Sequence, residues 1–186
     1  MLRSGMTSSV SRPKQPQIVR AKILDAGAEL LAEGTPCSIG EIAAAAGVTK
    51  GAVQHHFGSR ESLLSAIYDD LQSHFENALM PYRPGKSAAE SYVAATLDAT
   101  LDETRTTHWR ALLVACVIER GLSDRWSSWV HADRTRNGEE STSQLIARLA
   151  ADGLWMSDIL GTYELESTER EKLAEALKQL AKEGSV

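Results

Sequence analysis

The sequence predicts an all-α protein. Three observations carry that prediction. Only 5 of 186 residues are proline, and long stretches are rich in Ala, Leu, Glu and Arg, which are strong helix formers. Apolar residues recur at i, i+3, i+4 and i+7 along most of the chain. Ser or Thr followed three residues later by Glu marks helix starts at Ser38, Ser87 and Thr168. About nine helices are expected, with no repeat and no heptad run.

The first helix is expected from about Gln17 to Glu33. Ile23, Gly27, Leu30 and Leu31 form its apolar stripe, widened by Leu24 and Ala28. Gly34 stops it. A second helix follows Ser38, with Glu41 completing a capping box and Ile39, Ile42, Ala43 and Ala46 on one face. Gly47 suits a left-handed cap. Val48 folds back to the core, and Thr49 caps a short third helix in which Val53 and Phe57 share the buried face. Gly58 ends it. Ser59 opens a long fourth helix to about Met80, with Leu64, Ile67, Leu71 and Phe75 inward, broken by Pro81, Pro84 and Gly85.

The body continues in the same manner. Ser87 and Glu90 open a fifth helix carrying Tyr92, Val93 and Leu97. A sixth is expected from about Thr107 to Arg120, broken by Gly121, and a seventh from about Ser123 to Asn137, broken by Gly138. An eighth spans about Ser141 to Leu160. Thr168 and Glu171 open a ninth, with Leu173, Leu177 and Leu180. The expected organisation is a disordered basic arm (1–16), a three-helix unit (17–60) and a helical body (61–186).

Helix, tight turn and short helix over Ser38 to Arg60 make a helix-turn-helix, whose second helix can enter the major groove of DNA. The competing reading is a plain helical hairpin with a solvated face. The segments ILDAGAELLAEG and IGEIAAAAGVTKGAVQHHFGSRESLL extend the pattern over residues 17–70. There the chain resembles the N-terminal DNA-binding domain of the tetracycline-repressor (TetR) family, with three helices matching in order and spacing. The resemblance implies a DNA-binding domain on a helical ligand-binding and dimerisation domain. It implies DNA contacts at Thr49, Lys50, Ala52, Gln54, His55, His56 and Arg60. Gly51, without a side chain, lets the backbone approach DNA. Two positions depart from the family: Ala52 replaces the usual Thr or Ser, and Gln54 replaces the usual Tyr. The first loses a hydroxyl for phosphate. The second gains an amide that can read an adenine edge.

Charge divides unevenly. Residues 1–60 hold seven Lys and Arg against four Asp and Glu, while the rest holds 13 against 21. A basic head on an acidic body orients the head toward phosphate. The N-terminus lacks the apolar segment of a secretory signal, and no apolar run approaches 18 residues. Cys37 and Cys116 form no CxxC pattern and read as reduced thiols. These features point to the cytoplasm and away from membranes.

In the body, Trp109, Trp126 and Trp129 fall on two successive helices and Trp155 on the next. With Tyr92 and Cys116 they are expected to wall a cavity of ~300 Å³ or more for a small lipophilic or aromatic ligand. Trp faces also suit a cation. Plain core aromatics are the competing reading. Leu145, Leu149, Leu173, Leu177 and Leu180 are expected at a homodimer interface, because no later element covers the ninth helix. Adjacent His55 and His56 point about 100° apart and make a poor metal site. Asp98, Asp102, Glu103 and His108 lack any nucleophile, phosphate-loop or metal pattern. No catalytic residue, cofactor or metal is expected. The sequence therefore reads as a DNA-binding regulator, a repressor released from a palindromic operator by a small molecule. The alternative is a helical ligand-binding or interaction protein without DNA binding.

Overall fold

The computed structural model describes residues 15–35, 37–99 and 103–183. Among them nine α-helices form: α1 (Gln15–Ala32), α2 (Ile39–Ala45), α3 (Lys50–Phe57), α4 (Arg60–Leu79), α5 (Ala88–Ala99), α6 (Glu103–Ile118), α7 (Arg120–Arg134), α8 (Thr142–Leu160) and α9 (Ser167–Lys182). A 3-10 turn, Met80–Tyr82, follows α4, and the described residues contain no strand. None of these helices is long and apolar enough to cross a membrane.

Local chemistry sets the first three helices. The Ser38 hydroxyl accepts from Glu41 N at 3.2 Å, and the Glu41 carboxylate accepts from Ser38 N at 3.0 Å. Such caps stabilise a helix by about 1 kcal/mol. The turn after α2 needs a left-handed residue, and Gly47 supplies it at φ +66°. Thr49 Oγ1 accepts from Ala52 N at 3.1 Å and starts α3. Gly27 lets α1 close on α4: a Cβ there would meet Ile67 Cδ1 at 2.3 Å. Ser59 caps α4, accepting from Ser62 N at 3.1 Å.

Two apolar clusters fill the interior. The first joins Ile23, Leu31, Ile42, Val53, Ile67, Tyr68, Leu71, Phe75, Tyr92, Trp109, Leu112 and Leu122, so it runs from the helix-turn-helix into the body. The second gathers Val93, Leu97, Ala147, Ala151, Leu154, Leu177 and Ala181 from α5, α8 and α9. α1 packs most widely on α6, and α8 on α9 and α5.

Several boundaries differ from expectation. Residues 1–14 of the expected arm lie outside the described residues, while Gln15 and Pro16 already belong to α1. Proline fits there because the first-turn N–H groups have no helical partner. α6 begins at Glu103, before the expected Thr107. Gly121 does not break it. The chain turns at Glu119, whose backbone is extended (φ −127°, ψ 105°), and Gly121 lies in the first turn of α7. Thr168 does not cap α9. Glu166 is the N-cap residue, and its N–H donates to Glu169 Oε2 at 3.1 Å, so the carboxylate of the first turn reaches back to the cap.

Candidate DNA-binding surface and ligand cavity

α3 is held by its buried Val53 and half-buried Phe57 and turns its other faces outward. Thr49, Lys50, Gly51, Gln54 and His55 are exposed, and Ala52 and His56 are half-buried. The structure thus gathers seven of the eight expected contact residues on one helix and its cap. Lys50 folds its stem over α2: a Cβ at Gly40 would lie 2.8 Å from Lys50 Cε. Gly51 has a different meaning. Its nearest neighbour to a built Cβ is Thr49 Oγ1 at 3.8 Å, so the chain's own packing does not require glycine there. Between α3 and the start of α1, Pro16, Val19, Ala52, His55 and His56 line a shallow groove.

Arg60 also has partners within its own chain. Its Nε donates to the Cys37 carbonyl at 3.2 Å and its Nη1 to Glu119 Oε1 at 3.0 Å. The guanidinium thereby joins the α1–α2 turn to the α6–α7 elbow, while the side chain stays 42% exposed. Arg20, passed over in the sequence, is exposed on α1 with its guanidinium 5.3 Å from the Phe57 ring centroid. Spacing from α1 to α3 hides it from a motif.

In the body, Tyr92, Trp109, Cys116, Trp126 and Trp155 do wall a cavity, together with Phe75, Leu112, Leu113, Asp152 and Met156. Its volume is about 140 Å³, less than half of the ~300 Å³ expected, so the expectation of a preformed pocket of that size is not met. Aromatic rings take up the difference. Phe75 meets Trp109 at 4.6 Å and Trp126 edge-on at 5.0 Å. Trp129 is not on the wall. It stacks on Trp126 (4.9 Å, 10°) and donates its indole N–H to Glu76 Oε1 at 2.7 Å. The buried Trp155 indole N–H has no protein partner. Burial pushes the Cys116 thiol up to about 11 and also raises Cys37, so neither is a ready thiolate.

The cavity is wired to the DNA-binding helices. α6 carries Trp109 and Cys116 and lies against α1. α7 is pinned to α4 by Trp129 on Glu76, by the Arg125–Asp69 ion pair, by Arg125 on Ser65 Oγ at 3.1 Å, and by Arg125 stacked 4.3 Å from the Tyr68 ring centroid.

The expected dimer residues divide. Leu177 is 7% exposed and belongs to the second cluster, so it is a core residue of its own chain. Leu180 packs partly against that cluster, and Leu145 is half-buried. Leu149 is 63% exposed and Leu173 42%. The sequence reading missed Ile146, Met156 and Leu160, all exposed. With Leu149 and Gly153 they fall three or four apart on one face of α8.

Residues 23–67 match the family "Bacterial regulatory proteins, tetR family", and residues 86–182 match "Tetracyclin repressor-like, C-terminal domain". The chain belongs to the TetR family. It is 26% identical over 169 residues to the HTH-type transcriptional regulator BetI of Escherichia coli O17:K52:H18, covering 80% of this chain and 86% of BetI. It is 31% identical over 114 residues to the HTH-type transcriptional regulator AcrR of Shigella flexneri, where the match spans 58% of this chain and 51% of AcrR. The fold is shared with the multidrug binding protein EbrR, solved with malachite green, at a TM-score of 0.65 and 18% identity over 90% of this chain and 98% of that one. This TetR-family protein is thus a helix-turn-helix transcriptional regulator.

The residues near His108 to which the sequence assigned no chemistry have partners within the chain where they are described. Asp98 accepts the Tyr82 hydroxyl. Asp102 and the Glu103 side chain lie outside the described residues, and His108 stacks on His74 at 4.6 Å. Among the described residues no three His, Cys, Asp or Glu side chains are placed to hold a metal.

Proposed function

We propose that this regulator is a cytoplasmic homodimeric repressor that leaves a palindromic operator when a small lipophilic or aromatic molecule fills the tryptophan cavity. Residues 17–60 bind DNA, and residues 61–186 bind ligand and dimerise. The observation that carries the reading is the continuity of the first apolar cluster, in which Trp109 and Phe75 share a core with Ile42 and Val53. A solved relative in fold, EbrR, holds malachite green, which supports a ligand role for this kind of body.

The mechanism follows from size. A cavity of about 140 Å³ is below the ~300 Å³ of a drug-sized site. A ligand therefore spreads the wall. Moving Trp126 pulls α7, and α7 is pinned to α4. Moving α6 pushes α1. Two recognition helices must match major-groove turns about 34–36 Å apart. The ligand binds the spread state better, and that difference alone shifts the equilibrium. The exposed α8 stripe of Ile146, Leu149, Met156 and Leu160, with Leu173 of α9, forms the two-fold contact.

The test is DNA affinity by fluorescence anisotropy at fixed salt, on the promoter fragment upstream of the protein's own gene. Gln54→Ala and Lys50→Ala are expected to weaken binding, with about 1–3 kcal/mol lost for a bidentate base contact. Gln54→Ala should also flatten base preference. Unchanged affinity in both folded variants would remove α3 as the reader.

A further inference from the structure

The cavity holds one group that a purely lipophilic ligand does not need. Asp152 of α8 lines it among Phe75, Tyr92, Trp109, Trp126 and Trp155. Its Oδ1 accepts from the Tyr92 hydroxyl at 2.7 Å. Among the described residues that bond is its only polar contact, and no cation pairs with it.

The nearest candidate cation is already committed. Arg148 lies one turn earlier on α8. Its Nη2 reaches Asp133 at 2.7 Å, its Nε is bonded to Glu140 at 2.5 Å, and its guanidinium carbon sits 4.4 Å from the Tyr92 ring centroid. Its charge is shared between two carboxylates that are themselves buried. Among the described residues no Lys, Arg or His lines the cavity. A carboxylate in an apolar wall without a counter-charge is costly. Burial pushes Asp152 up to about 6, while the Tyr92 hydrogen bond and then Arg148 hold it back. It is therefore mostly ionised at neutral pH.

We propose that the cavity selects an organic cation, a quaternary or protonated amine carrying a compact apolar or aromatic group, with the Asp152 carboxylate as its counter-charge. The proposal rests on the ligand-cavity reading above and adds the sign of the ligand's charge. An entering cation brings the charge that the protein lacks there. The faces of Trp109, Trp126 and Trp155 favour it through their ring quadrupoles. An anion meets a like charge and no donor cluster. A neutral molecule of the same shape gains the apolar contacts but leaves Asp152 unpaired.

The experiment compares phenyltrimethylammonium with tert-butylbenzene, which replaces its charged nitrogen by carbon at nearly the same volume. Each is titrated into the full chain and followed by tryptophan fluorescence. The cation is expected to half-saturate at a concentration at least tenfold lower. Asp152→Asn, shown folded by circular dichroism, is expected to bring the two probes within twofold. Asp152→Ser serves the same purpose if the asparagine variant does not fold, and the wild-type ratio decides on its own. Equal binding, tighter binding of the neutral probe, or a ratio that survives loss of the carboxylate overturns the cation assignment and leaves the cavity reading standing. Binding of neither probe overturns both.

Discussion

The two apolar clusters are built from different material. The first is aromatic: Tyr68, Phe75, Tyr92 and Trp109 are buried in it, with Trp126, Trp129 and Trp155 packed alongside. It surrounds a cavity, and it reaches the helix-turn-helix. The second holds no buried aromatic: Val93, Leu97, Leu154 and Leu177 pack with Ala147, Ala151 and Ala181. Its α8–α9 side carries an apolar cleft of about 240 Å³ lined by Leu154, Leu173 and Leu177, which does not reach the helix-turn-helix. Only the first cluster joins a cavity to the helix-turn-helix. In the proposed mechanism the ligand acts on the first cluster, and the second is a platform that supports the proposed two-fold contact. The α7–α8 elbow between them is locked by Asp133, Glu140 and Arg148, whose side chains are each 4% exposed.

The largest expected effect tests the platform. Leu177→Glu puts a charge into the second cluster and should cost at least ~3 kcal/mol. Leu149→Glu, on the outer face of the same platform, should leave the melting of the monomer little changed and yield monomers in sedimentation. A Leu177→Glu chain that melts like the wild type would break the contrast between the two faces.

Asp152 offers the next effect, at the junction of the clusters. Its carboxyl sits at about 6 in the folded chain, against ~3.9 when unfolded. Between those values the folded chain holds a proton that the unfolded chain has released. Its stabilising contribution is therefore complete below pH ~4 and is lost as pH rises through 6, a change of roughly 3 kcal/mol. Asp152→Asn should melt higher than wild type at pH 7, with the gap closing toward pH 4. A gap independent of pH would place the carboxylate in water.

In the first cluster, Gly27→Ala forces α1 off Ile67 and should cost about 1–3 kcal/mol in denaturant unfolding, weakening DNA binding with it. A neutral result would show slack where α1 and α4 meet. The smallest effect concerns Arg60 and Glu119, whose side chains are 42% and 37% exposed. Glu119→Gln should change stability by less than ~1 kcal/mol. It frees Arg60 for phosphate, so the salt dependence of DNA affinity should steepen by about one contact. An unchanged slope would keep Arg60 away from DNA.

The helix-turn-helix was legible because its determinants are local. Ser38, Glu41, Gly47 and Thr49 each act within four residues of themselves. Five of the six expected cavity residues were legible because tryptophans in a small body have few places to go. What stayed hidden depends on distant partners. Arg60 meets Glu119 across 59 positions. Leu149 on α8 and Leu177 on α9 look alike in sequence, since each lies in an apolar stripe and only the packing of α9 on α8 and α5 decides which is covered. Asp152 carries no motif, being one acid among apolar neighbours. Trp129 sits three residues from Trp126, but its indole N–H found Glu76 outside the wall.

The outer stripe of α8 has a last consequence. In the proposed homodimer, a helix whose inner face serves its own subunit and whose outer face meets a second copy couples association to stability. Mass action then enters stability directly. At nanomolar copy number such a chain loses support that it has in a concentrated solution. The number of molecules in a cell, and not affinity for DNA alone, would set how firmly a promoter is held shut.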